Sequence, residues 1–397
     1  MSIVAIVGLA AAGCGSSSKS ALAPAPTTSS VAGAKLSSDS PILLGNVGNL
    51  SNEQLGTQSD DSATPKAWID YTNAHGGIDG HPVKLYQLDD GADPGRALVD
   101  VKQLVGSDHV IALVGDQDSA TDTAYASYLT QAGVPNVGGA DFSNVWFQNS
   151  DYFPTEATEN TNSYALDYAA KFAGAKSFAV AYCSENPACL EGTQSEQADA
   201  ASVGIKYIKG PSASSVAPSY TAQCLSMMSS HPDAIAFSDG VPQAEKMASD
   251  CRTQGFTGTW VLFQPDNTEL TSSGVDKSAI GEDLQLPYFA NIPATRTFRQ
   301  AMATYAKGVP IQIDSLRIWA AFDVLKAALE AEGTKALTPQ AVKSGLYKLD
   351  GFTDQGIVPP LKYTAGKPTS NDCFIIWGIK DKKFTLPNGD KFTCEPG

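Results

Sequence analysis

The stretch NAHGGIDGHPVKLYQLDDGADPGRAL, residues 73–98, decides how this chain folds. Gly76-Gly77 ends a helix, because glycine alone takes up the left-handed conformation of a helix C-terminus without strain. Asp79-Gly80 makes a tight turn, and Val83, Leu85 and Leu88 give the apolar spacing of a strand. A new helix starts near Pro94. Helix, turn, strand and helix therefore follow one another with almost no loop between them.

The same alternation continues on both sides. Strands are expected at Ile42–Leu44, Val83–Leu88, Val110–Val114 and Pro135–Val137, with helices at Pro65–Ala74, Pro94–Val105 and Thr121–Ala132. A second series follows beyond Thr155–Asn160, with strands at Phe178–Tyr182, Ile205–Ile208, Ala234–Phe237 and Val261–Phe263. Its helices fall at Ser163–Phe172, Thr193–Ser202, Tyr220–Ser229 and Gln243–Gln254, and Thr297–Ala306 and Ser315–Ala331 come after both series. Strand and helix in alternation give a parallel sheet covered by helices on both faces, so two series predict an α/β fold of two similar lobes.

With 397 residues, 42% of them hydrophobic, both lobes can bury a core. A formal charge of −15 and the lack of any basic run exclude a phosphate-backbone partner, so no nucleic acid is expected.

The N-terminus, MSIVAIVGLAAAGCGSSSKS, has an apolar segment too short to span a membrane, ending in small residues before Cys14. It resembles the end of a bacterial lipoprotein signal peptide, with Ala11-Ala12-Gly13 before a lipidated Cys14. It departs from that pattern in lacking Leu at the first of these positions and a basic leader. Gly15–Ser40 is mostly Ser, Ala, Pro, Thr and Gly, a composition that makes a flexible tether. Setting Cys14 aside leaves six of the seven cysteines, which suits an exported protein with disulfides. Proximity in sequence suggests Cys183 with Cys189, Cys224 with Cys251 and Cys373 with Cys394, although six cysteines allow about 15 connectivities. The cysteines have no CxxC or paired Cys/His spacing, so no structural zinc or other metal is expected.

Taken in order, ILLGNVGNLS, NAHGGIDGHPVKLYQLDDGADP and VIALVGDQDSATDT resemble the type I periplasmic-binding fold, and within it the branched-chain amino-acid-binding proteins of ABC importers. AGVPNVGGAD, KSFAVAYCSEN, PDAIAFSDGVPQAEKMASDCRTQGF and VLFQPDN keep the register, so the resemblance covers about Pro41 to Phe392. It implies two lobes joined by three crossings that close around a solute, which membrane subunits of an importer then receive. The implied organisation is a signal peptide at 1–13, a tether at 14–40, one lobe from 41–156 plus 288–350, and the other from 157–287 plus 351–397. The protein would be a monomer on the outer face of the cell membrane, held there by its lipid.

Ligands of open α/β sheets bind beyond the carboxyl ends of strands, where helix N-termini favour anions. Ser119 stands at such a place, and its hydroxyl with the N–H groups of Ala120 and Thr121 suits a ligand carboxylate; Ser119 equally suits a plain helix cap. The resemblance adds Ala140, as a backbone contact, with Asp141 and Phe142 beside it. Phe142 replaces the hydroxyl residue usual in the family. In the other lobe Asp266 of VLFQPDN matches the acid that binds a ligand ammonium, while QPDN also reads as an Asx turn. Two positions that carry enclosing aromatic rings in relatives fall on Ala188 and Gly240, and Asp239 next door offers a polar contact instead. The pocket floor has thus changed, and the sequence leaves the solute open among amino acids and related carboxylates or amides.

An enzyme is not expected, since G-x-S-x-G, G-x-x-x-x-G-K-[ST] and H-E-x-x-H are all missing. GNVGNLS lacks the G-x-G-x-x-G of dinucleotide sites, and no cofactor is expected. The alternative is a ligand-sensing receptor domain working with a separate membrane signalling partner, because the same fold serves both tasks.

Overall fold

The computed structural model describes residues 38–396 except 52–58, 118–120, 142, 186, 264, 266–269, 271, 273 and 283–284, and without the side chains of 159–160, 187–192, 194–195, 241 and 282. Ser119, Ala120, Phe142, Asp266 and Cys14 lie outside the described residues.

The first half alternates β1 (Ile42–Gly48), α1 (Ser59–Ala74), β2 (Val83–Asp89), α2 (Pro94–Gly106), β3 (Ala112–Asp116), α3 (Asp122–Ala132), β4 (Asn136–Gly139), α4 (Asn144–Gln148) and β5 (Tyr152–Phe153). Its five strands form a parallel sheet in the order β2-β1-β3-β4-β5. The second half continues with α5 (Glu159–Phe172), β6 (Ser177–Cys183), α6 (Pro187–Val203), β7 (Lys206–Ala213), α7 (Thr221–Met228), β8 (Ala234–Ser238), α8 (Val241–Thr253), β9 (Thr259–Leu262) and β10 (Ser278–Glu282). The chain then returns through α9 (Arg296–Tyr305), α10 (Ile313–Glu332) and α11 (Pro339–Leu346), passes the short pair β11 (Asp350–Phe352) and β12 (Leu361–Lys362), and ends in β13 (Cys373–Lys380), β14 (Lys383–Thr385) and β15 (Phe392–Cys394). The second sheet runs β14-β13-β10-β9-β8-β6-β7, with β15 also on β13; β13 lies antiparallel to β10.

Helices cover both faces of each sheet. In the first, Trp68 of α1 and Phe322 of α10 pack on one side, and Val101, Tyr125 and Trp146 on the other. In the second, α5 and α6 cover one face and α7 and α8 the other. Among the described residues no helix is long and apolar enough to cross a membrane.

The opening stretch behaves as its residue types require. Gly76 and Gly77 have φ of 101° and 71°, and a bridge pairs Ile78 with His81. Asn73 then fixes where β2 begins: its side-chain amide donates to Val83 O at 2.9 Å and its Oδ1 accepts from Val83 N at 2.8 Å. Each aspartate that follows has a separate partner. Asp89 accepts from Leu50 N and the Ser51 hydroxyl, Asp90 from the Thr121 hydroxyl, and Asp93 caps α2 through Arg96 N with Pro94 in the first turn.

One helix start and several elements differ from the sequence reading. The first helix starts at Ser59 and not near Pro65, which lies inside it. A proline in a first turn lacks a hydrogen bond it would not have made, but here Pro65 is deeper, so the sequence signal pointed to the wrong turn. The strands β5 and β10–β15 and the helices α4 and α11 were not anticipated. Seven of the eight residues of β13, CFIIWGIK, are buried, so it shows no alternation to betray a strand.

Cys224–Cys251 clips α7 to α8, and Cys373–Cys394 clips β13 to β15, both as sequence proximity suggested. Cys183 is disulfide-bonded as well, while the Cys189 side chain is not among those described.

The two sheets connect at three places, after β5, after β10 and between β12 and β13. The three segments lie side by side: Tyr363 donates its hydroxyl to Pro154 O at 2.9 Å, Leu286 N to Ile357 O at 2.8 Å, and Thr158 N to Asn371 O at 3.3 Å.

Candidate functional site

Parallel strands end their carboxyl termini on one edge of a sheet, so the loops after β1, β2, β3 and β4 gather on one rim and those after β6, β7, β8 and β9 on another. These rims are where solute contacts belong.

Described residues of the first rim are hydrogen-bonded to one another. Asp116 at the end of β3 accepts from Val47 N and the Tyr125 hydroxyl. Burial, reinforced by the charge of Asp122, pushes its carboxyl up to about 8. Asp122 opens α3 and accepts from Tyr125, Ser143 and Trp146. Gly139 is required beside them, since its φ is 147° and a Cβ there would stand 2.2 Å from Asp116 O. Thr121 is buried and donates its hydroxyl to Asp90 at 2.9 Å, so this hydroxyl fastens the start of α3 to the loop after β2.

Ala140 and Asp141 are also placed by the fold and not by solvent. Ala140 N donates to Asp116 O at 2.8 Å. Asp141 is buried and accepts from Thr155 N at 2.8 Å, which ties β4 to the first crossing. Burial, and then the neighbouring charge of Glu156, raises its carboxyl well above the usual range. Glu156 itself accepts from Arg317 of α10 at 2.6 Å and from Gln285 of the second crossing at 2.9 Å. None of Glu156, Gln285 and Arg317 was singled out from the sequence, because they meet only when the chain has crossed between the sheets twice.

The second rim is rich in hydrogen-bond acceptors. Glu185 follows β6, and hydrogen bonds from Ser214 and Ser215 hold its carboxyl down at about 2. Ser215 in turn donates its hydroxyl to Asp239 at 2.6 Å, and Gly240 N donates to the other Asp239 oxygen at 2.8 Å. Asp239, expected as a polar contact, therefore stands half-exposed and already oriented. It lines a pocket of about 220 Å³ with Asn162, Phe178, Glu196, Ser238 and Phe263. The pocket opens at the ends of β8 and β9 and runs beneath α5. Its polar members Asn162 and Glu196 escaped the sequence reading, because helix periodicity does not tell which polar residue of an amphipathic helix faces a void.

A roomier cavity of about 560 Å³ lies away from both rims, between α1 and α10 and the turn at Asp354–Gly356. Its floor is a carboxyl pair, Asp323 and Asp354, of which Asp323 accepts from Trp68 Nε1 at 2.7 Å. It faces no strand end, unlike the smaller pocket.

Comparison with solved structures shows what this architecture is similar to. An extracellular ligand-binding receptor from Verminephrobacter eiseniae superposes with a TM-score of 0.72 at 16% identity, over 87% of this chain and 99% of that one. A leucine-binding protein from Thermotoga maritima gives 0.66 at 17% identity, over 87% and 99%. A solute-binding protein of an ABC transporter from R. palustris, in complex with benzoate, gives 0.64 at 17% identity, over 87% and 95%. At these identities the likeness establishes the fold, a type I periplasmic-binding architecture. No curated protein sequence matches. The model of one sequence family, described as periplasmic binding protein, matches residues 47–383, and the chain therefore belongs to the periplasmic binding protein family.

Proposed function

We propose that this chain is an extracytoplasmic solute-binding protein that captures a small amphipathic metabolite, an amino acid or a related carboxylate or amide, and delivers it to the membrane subunits of an ABC importer. The observation that carries the reading is the acceptor-lined pocket at the ends of β8 and β9, in a molecule whose two sheets are joined by three adjacent crossings. Such a joint permits lobes of 41–156 plus 288–350 and 157–287 plus 351–397 to close on a solute, so that binding selects the closed form. Ser119, Ala120 and Thr121 hold the solute's anionic end through backbone N–H groups and a hydroxyl; the Thr121 side chain serves the loop instead. Asp239 and Asp266 take its donors from the other lobe. The leucine-binding and benzoate-bound relatives support a solute of this size and polarity.

Cys14 carries the lipid that keeps the monomer at the membrane. Expressed with a full leader, the protein should fractionate with membranes, and Cys14→Ser should release it or leave it unprocessed; equal fractionation rejects the anchor. The solute reading is tested by a thermal-shift screen of amino acids, amides and aromatic acids, since a ligand stabilises only the state it binds. No shift with any member rejects it.

A further inference from the structure

The pocket beneath α5 has the wrong polarity for an empty space in a protein core. Asn162 is 6% exposed, lines the pocket, and its Oδ1 has no hydrogen-bond partner among the described residues. Glu196, 5% exposed, lines it from α6 and receives one long hydrogen bond, from the Tyr207 hydroxyl at 3.3 Å. Behind them Asp167 of α5 is fully buried, and neither of its carboxylate oxygens is partnered among the described residues. Asp239 adds a further carboxylate at the mouth. Apart from Ser238 the other walls are apolar, among them Phe178, Val180, Val261 and Phe263, and no Lys, Arg or His lines the pocket among the described residues.

Buried acceptors that lack donors are costly, and native interiors rarely keep several together unless something supplies the protons. We infer that this crevice is a subsite for the distal end of the solute, selecting an ammonium or amidinium group carried on an apolar body, away from the solute's carboxylate. The inference rests on the solute-binding reading and narrows it to amphipathic acids with a terminal cation. The apolar walls take the body, while Asn162 Oδ1, Glu196 and, through charge alone, Asp167 take the cation.

Charge and protonation follow. Burial, eased by the Tyr207 hydrogen bond and reinforced by Asp199, pushes Glu196 up to about 7, and burial with the charges of Glu196 and Asp199 pushes Asp167 up to about 9. Asp199 is itself raised to about 6 by burial and by Glu395 at the end of the chain. Burial and the Glu196 charge raise Tyr207 far above its ordinary value, so it remains a neutral donor. An arriving cation thus displaces protons, and its binding tightens as pH rises through this range.

Matched carboxylates differing only in the terminal group make the test: 4-(aminomethyl)benzoate against 4-methylbenzoate, and 6-aminohexanoate against hexanoate, by titration calorimetry at pH 7. At least one aminated member should bind about 10-fold or more tightly than its partner, the strength of a charge-assisted hydrogen bond. Glu196→Gln should erase that preference. In wild type, calorimetry in buffers of different ionisation heat should record proton release on binding the aminated member, a readout that does not depend on how the variant folds. Equal affinities within both pairs, a preference untouched by Glu196→Gln, or binding with no proton release overturns the subsite. Failure of both aminated probes, when another solute from the screen stabilises the protein, overturns the subsite and leaves solute binding standing; failure of every solute rejects both.

Discussion

Arg317 Nε lies 2.6 Å from Glu156 Oε1, with both side chains almost wholly buried at 3% and 1% exposure, and so joins the long helix α10 to the first crossing between the sheets. The same oxygen receives Gln285 of the second crossing, and Arg317 also meets Asp314 on its own helix. One carboxylate thereby ties two crossings to one helix. Any rotation of the lobes has to turn about this point or break it.

Removing one partner of a buried ion pair strands the other charge. Arg317→Met should cost about 3–5 kcal/mol in urea unfolding. Adding Glu156→Gln should recover a good part of that loss, because the stranded carboxylate is then neutral. A single-variant cost under about 1 kcal/mol, or no recovery in the double variant, contradicts a stabilising role for this buried pair.

Ser119 and Asp266 separate two kinds of solute. Ser119→Ala should weaken binding of any carboxylate by about 1–3 kcal/mol, the worth of a hydrogen bond to a charged group. Asp266→Asn should weaken an α-amino acid more than that, since a buried ammonium then loses its counter-charge. For an acid without an α-amine it should be neutral or favourable. Calorimetry on both variants with the screened solute decides; if neither changes affinity, these positions do not touch it.

The disulfides should stabilise the half built on the second sheet. Cys224 and Cys251 are 27 residues apart and Cys373 and Cys394 are 21 apart. Loops of this size make each bridge worth about 2–4 kcal/mol. Cys224→Ala with Cys251→Ala should lower the unfolding midpoint accordingly, and thiol titration of the native protein should find Cys183, Cys224, Cys251, Cys373 and Cys394 unreactive. A reactive thiol at any of these refutes the pairing.

Asp167 should make stability fall with pH. Its folded carboxyl is raised to about 9 from 3.8, so the folded chain holds a proton that the unfolded chain releases. That contribution is fully present below the unfolded value and is lost as pH rises through about 4 to about 9. Asp167→Asn should leave stability at pH 4 little changed and raise it at pH 9 by about 1–3 kcal/mol, less than the full shift implies because the site relaxes and admits water. Parallel melting-temperature profiles for the two proteins between pH 4 and 9 exclude it.

How far the sequence could be read depended on the range of the interactions involved. Gly76-Gly77, Asp79-Gly80 and Asp93-Pro94 are local, each set by backbone conformations within a few residues, and they announce helix, strand and helix in the right order. Cys224 with Cys251 and Cys373 with Cys394 were legible for the same reason, being near in the chain and on adjacent elements. At the other extreme, β13 is buried on all sides and reads as a plain apolar run, and Pro65 inside α1 mimics a helix start.

Among candidate site residues, Asp239 was named for its place beside Gly240, and it stands between β8 and α8. Thr121, Ala140 and Asp141 were legible as positions on the rim, but their partners were not: Asp90, Asp116 and Thr155 belong to other loops, which only the finished sheet brings close. By itself the sequence carried the family through the resemblance of its ordered motifs, and it determined two α/β series, since alternation, turn chemistry and apolar spacing are written in neighbouring residues. Only the tertiary structure decided that Glu156, Gln285 and Arg317 meet in one buried cluster and that Asn162 and Glu196 line one crevice with Asp167 buried nearby. Their burial and raised acidity come from elements far apart in the chain, and a residue's desolvation depends on everything packed around it.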